Sequence, residues 1–106
     1  MADEIVVLIT ASSREEAEKI GSALVDDRLA ACVNIIPEVR SLFVWEGKRQ
    51  DERETLLVAK SRRPLLDRLV ARVKMLHSYT VPEVIALPVV GGSRDYLDWV
   101  EASTKE

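Results

Sequence analysis

An α+β sandwich is the fold this chain predicts, with elements in the order β-α-β-β-α-β and a short helix at the C-terminal end. Three observations carry the expectation. Two stretches repeat apolar residues at helical spacing, four are rich in β-branched residues, and each helical stretch stands between extended ones. With 106 residues and 47% apolar content, the chain suits one domain, residues 1–106, whose core needs neither disulfides nor a structural metal.

The elements follow in order. "EIVVLIT" (4–10) is a β-rich apolar run, and "SSREEAEKIGSALVDDR" opens with two overlapping capping boxes, Ser12 with Glu15 and Ser13 with Glu16. Ala17, Ile20, Gly21, Leu24 and Val25 then recur at helical spacing. "LAACVNII" (29–36) predicts a second strand that ends or bends at Pro37, because proline cannot donate to a ladder. "VRSLFVWEG" (39–47) continues in extended form, Gly47 and "KRQDE" are expected to turn, and "RETLLVAKS" (53–61) returns as the hairpin partner. Pro64 suits a first helical turn, and Leu66, Leu69, Val70, Val73 and Leu76 form an apolar stripe that ends at His77. "TVPEVIALPVV" (80–90) predicts the last strand, Gly91-Gly92 a break, and "SRDYLDWVEAST" (93–104) a helix docked by Tyr96, Leu97, Trp99 and Val100. This order is the split βαβ, ferredoxin-like pattern, in which right-handed crossovers place both long helices on one face of an antiparallel sheet.

The other face of that sheet should turn polar where it meets water. It does not. The first strand offers Ile5, Val7 and Ile9 to one side but Val6 and Leu8 to the other; the last offers Val81, Ile85, Leu87 and Val89 against Val84, Ala86 and Val90. Two apolar faces need two covers, and self-association with closed symmetry is the economical second cover.

Composition narrows the function. A net charge of −3 argues against a general nucleic-acid partner, and the basic stretch from Lys60 to Lys74 reads as a solvated helix face. A single cysteine makes no internal disulfide, and the N-terminal apolar run of about six residues is far short of a membrane span. The expectation is a cytoplasmic protein with no membrane partner. No phosphate-cradling loop and no nucleophile with a base nearby in sequence is found, so no enzyme is expected. Cys32 and His77 are the soft donors, without any multidentate metal spacing. Cys32 reads as a small mid-strand hydrophobe, and His77 as the residue that ends a helix, with a functional role open for each.

The residues resemble one family closely. "LAACVN", "SLFVWEGK", Glu54 with "LLVAKS", "HSYTVPEVIALPV" and "YLDWV" occur in the order found in the CutA family of divalent-cation-tolerance proteins, across roughly residues 5–103. The resemblance implies a tight homotrimer, similar in architecture to PII-type signal proteins, and association with copper, Cu(II), or other divalent cations, with no obligatory cofactor. It implies copper positions at Cys32 and His77, and an intersubunit cleft bordered by Trp45, Glu54, Lys60 and Tyr79. One departure stands out: Ser78 follows His77 where the family has proline, so the stiff residue that would aim the ring is missing. The alternative function is a small-molecule or anion sensor using the same cleft, with Lys60 and Arg62 or Arg63 meeting the anion; a scaffold with no ligand is a third reading.

Overall fold

The structure, a computed structural model, describes residues 3–104. Strand β1 (Glu4–Ala11) leads to helix α1 (Arg14–Asp26), then to a long hairpin of β2 (Cys32–Trp45) and β3 (Lys48–Arg62). A 3-10 turn at Arg63–Leu65 opens α2 (Leu66–Leu76), and β4 (Val84–Pro88) and α3 (Arg94–Ser103) follow. Every pairing is antiparallel and the sheet order is β2-β3-β1-β4, as the ferredoxin-like pattern requires. No helix among the described residues is long and apolar enough to cross a membrane.

Helices α1 and α2 lie on one face of the sheet. Ser13 caps α1 by accepting the Glu16 N–H at 3.1 Å, while the Glu16 carboxylate reaches back to the Ser12 N–H rather than to that of Ser13. Ala17, Ile20, Gly21 and Leu24 of α1 and Leu69 and Val73 of α2 are buried against Ile5, Val7, Ile9, Leu57 and Ala59. A side chain at Gly21 would meet Val33 at 3.3 Å, so glycine there lets α1 approach the β2 edge of the sheet. Fully burying aliphatic side chains of this size favours folding by about 1.5–3 kcal/mol each, which makes this layer the main source of stability.

The opposite face is built from the alternate residues. Val6 and Leu8 stand beside Val58, Leu56, Ile85 and Leu87, whose strands pair in register. Ile85 and Leu87 remain 52% and 49% exposed, so the second apolar face expected from the sequence is present and largely open. Helix α3 covers only one end of it, through contacts with β3 and β1. Val100 is buried there, and Arg62 bonds the Thr104 hydroxyl at 2.8 Å, but Tyr96 and Trp99 are 43% and 47% exposed. Of the residues expected to dock this helix, Val100 is buried and Leu97 half-buried, Tyr96 reaches the Cys32 thiol at the edge of the sheet, and Trp99 stays largely exposed.

Three boundaries differ from expectation, the first being that β2 begins at Cys32 and not at Leu29. The hairpin turns on two residues, Glu46 and Gly47, with φ of 50° and 78°, the left-handed pair that a tight hairpin with right-handed strand twist demands. "KRQDE" therefore continues as strand, and Asp51 binds Arg40 across the ribbon at 2.7 and 2.8 Å. β4 is shorter than expected. The carbonyl of Thr10, next in line for pairing, is taken by the His77 ring at 2.6 Å, and Pro82 has no N–H to offer.

From Val39 to Trp45 and from Lys48 to Glu54 the hairpin pairs only with itself, beyond the end of β1. A register shift between Ile36 and Val39, around Pro37, marks where this ribbon leaves the sheet. The radius of gyration of 14.2 Å exceeds the roughly 13 Å typical of this chain length, as a projecting arm would make it.

Candidate functional site

The residues singled out by the sequence separate into two groups at opposite ends of β3. Trp45, Glu54 and Tyr79 line one cavity of about 630 Å³ between the ribbon, from its base at Glu54 to its tip at Trp45, and the irregular segment 78–83. Cys32 and Lys60 face each other at the other end, where β2 begins. Lys60 does not border the cavity.

The cavity is built by strand alternation. Phe43 pairs with Gln50, and Glu52 and Glu54 follow at two-residue steps on the same face of β3, so one ribbon side carries aromatic and acidic groups together. Segment 78–83 supplies the opposite wall with Tyr79 and Glu83. The Tyr79 hydroxyl donates to Glu54 Oε2 at 2.9 Å. Burial and the Glu54 carboxylate push the Tyr79 phenol up to about 12, so it stays a proton donor throughout the neutral range. Burial, then the neighbouring Glu54, raises the Glu83 carboxyl as well.

His77 stands behind this wall, not in it. Its side chain is 0% exposed. The Tyr79 N–H donates to Nδ1 at 3.0 Å, which leaves Nε2 as the protonated nitrogen donating to the Thr10 carbonyl at 2.6 Å. His77 ends α2, as expected of it, with its N–H bonded to the Val73 carbonyl, and its ring braces the 77–79 turn. Glu16 completes the brace by accepting from the Ser78 N–H at 2.7 Å and the Ser12 N–H at 2.9 Å. Desolvation alone would raise the Glu16 carboxyl, but these bonds outweigh it and hold the group at about 2.

Cys32 is half-buried at the start of an edge strand rather than deep in mid-strand. Lys60 donates to Asn34, and Arg62 is engaged by Thr104 and by Asp3 at 3.9 Å, so these cations are occupied where they stand. Cys32 lies level with Val6 of β1 through Lys60, whereas His77 bonds Thr10, four residues or about 13 Å further along that strand. One chain does not bring thiol and imidazole together, and among the described residues no three acidic, thiol or imidazole side chains converge on one point. Gln50 and Glu52 were not anticipated; hairpin register is the signal that places them. Glu16 was visible only as a capping residue, because Ser78 is 62 positions away.

Comparison with known proteins agrees with this architecture. The family described as CutA1 divalent ion tolerance protein matches residues 5–103. "Divalent-cation tolerance protein CutA" of Thermus thermophilus is 50% identical over 101 residues, covering 95% of this chain and 98% of the relative. The chloroplastic protein CutA of Arabidopsis thaliana is 48% identical, but the chain spans 56% of its length, and 58% of the corresponding Oryza sativa protein. Among solved structures, CutA1 from Oryza sativa superposes with a TM-score of 0.96 at 46% identity, over 99% of this chain and 96% of that one. The structure from Thermus thermophilus superposes with a TM-score of 0.94 at 49% identity, over 96% of this chain and 99% of that one. Motif order, strand order and this extent of match make the chain a member of the CutA1 divalent ion tolerance family.

Proposed function

We propose that this chain works as a homotrimeric, cytoplasmic divalent-cation-tolerance protein that binds copper, without enzymatic activity. The observation that carries the reading is the open apolar sheet face, where Val6, Leu8, Val58, Ile85 and Leu87 lie together with Cys32 at its edge. Covering that face with copies of itself removes apolar surface from water and gathers donors from several chains. The ribbon, with Leu42, Val44 and Trp45 at least half exposed, is long enough to reach across a neighbour.

Metal ligands then come from more than one chain. Cys32 is the available thiol, and His77 contributes only by giving up the Tyr79 N–H at Nδ1. Copper stands at the top of the divalent affinity order, so a sparse thiol and imidazole set favours it over zinc. The anion-sensor alternative loses support because Lys60 and Arg62 are engaged and the cavity is acidic. Copper titration by calorimetry tests the reading: wild type should bind, and Cys32→Ser and His77→Ala should each weaken binding by about tenfold or more. Unchanged binding in both variants would remove these ligands, and no binding by wild type would remove copper.

A further inference from the structure

Two exposed patches at opposite ends of the chain have complementary chemistry. At the tip of the ribbon, Val44 and Trp45 are 65% and 50% exposed, Val44 directly across from Arg49 on one face and Trp45 across from Lys48 on the other. Further down, Arg40 and Arg53 are held by Asp51 and Glu38, but neither Lys48 nor Arg49 has an acidic partner among the described residues. Helix α3 carries the converse. Tyr96 and Trp99, 43% and 47% exposed, form a tilted aromatic pair with ring centres 5.5 Å apart. Asp95 and Asp98 flank them and Glu101 follows, all exposed and none paired with a cation among the described residues; Arg94 is the one cation on the helix.

One chain cannot join these patches. The tip projects beyond the Ala11 end of β1, whereas α3 is tied to the other end of the sheet by Arg62 on Thr104 and by Arg28 on the Ala102 carbonyl at 3.2 Å. The 15 residues of β3 run from one patch to the other, so the two stand nearly the full 44 Å length of the molecule apart. Each copy therefore offers a tip to one neighbour and a helix to another. Such a contact between unlike patches, repeated about an axis, closes into a ring.

We propose that the ribbon tip of one copy docks on α3 of the next, Val44 and Trp45 against Tyr96 and Trp99, and Lys48 and Arg49 against Asp95, Asp98 and Glu101. The aromatic contacts supply the strength, and the charges at the rim set the register. This contact rests on the reading that the chain self-associates, and adds which surfaces meet.

The test has two arms on the assembled protein. Carbodiimide joins an amine to a carboxylate only where the two touch, so in wild type at micromolar concentration Lys48 should become linked to Asp95, Asp98 or Glu101 between chains, read by mass spectrometry of the linked peptides. Charge reversal is the second arm. Lys48→Glu with Arg49→Glu should raise the concentration at which the assembly dissociates at least about tenfold, as should Asp95→Lys with Asp98→Lys. The chain carrying all four changes should recover most of the wild-type value, because every contact regains opposite charges. All four positions are exposed, so the chain itself should keep its fold. Absence of the link, reversals without effect, or a fourfold variant no better than either pair overturns the proposal. Light scattering of wild type separates the two readings: an assembled protein that fails these arms loses this contact and keeps self-association, and a single-chain mass overturns both.

Discussion

The two faces of the sheet use the same kinds of residue and meet different fates. On β1, Ile5, Val7 and Ile9 are 3%, 0% and 0% exposed beneath the helices. One step along the strand, Val6 and Leu8 look toward Ile85 and Leu87, which stay half exposed. Hydrophobicity alone therefore does not say what a strand is buried against. The helix-covered face makes the chain fold, and the open face is where we propose that it assembles.

The same substitution on the two faces separates these roles most sharply. Leu57→Asp places an unpaired charge in the helix-covered core and should abolish folding, read as loss of far-UV circular dichroism and of the thermal transition. Ile85→Asp should leave the chain folded while splitting the assembly. Equal damage from both, or none from either, would erase the distinction between the faces.

Milder changes sharpen it. Leu57→Ala should cost about 2–5 kcal/mol of chain stability through the cavity it leaves, measurable by denaturant unfolding. Trp45→Ala, at the tip of the ribbon, should weaken assembly by about 2 kcal/mol, as loss of an interface aromatic does, without lowering the stability of the isolated chain. Dilution experiments followed by Trp99 fluorescence would report the dissociation.

The smallest effect belongs to the Glu16 brace. Its folded carboxyl titrates at about 2 against an ordinary 4.5, so the folded state binds fewer protons than the unfolded one between these values. The stabilisation is complete above about pH 4.5 and is lost as pH falls toward 2. Glu16→Gln should cost about 1–2 kcal/mol at pH 7 after allowance for solvent screening, and progressively less as pH falls through about 2. A variant as stable as wild type at pH 7 would show that the bonds to Ser12 and Ser78 are idle.

Element order and the doubly apolar sheet were legible because both rest on local periodicity, which strands and helices impose on the chain directly. The end of β4 was not, since it depends on the His77 ring meeting the Thr10 carbonyl 67 positions away. The tight turn was signalled by Gly47, but the charged "KRQDE" hid a strand whose charges pair across the ribbon, as Asp51 does with Arg40. Of the site, Trp45, Glu54 and Tyr79 were anticipated by resemblance and are brought together by the fold. The helix-ending place of His77 was legible, but the partners of its two ring nitrogens, Thr10 and the Tyr79 N–H, were not, because a position at a helix end does not specify them.

The central claim, that the open sheet face is an interface between copies of this chain, is tested most directly by light scattering of the wild-type protein at micromolar concentration. The account predicts a mass of about 36 kDa, three times the 11.9 kDa of one chain, falling to the single-chain value in Ile85→Asp. A wild-type mass of 11.9 kDa under those conditions would contradict it.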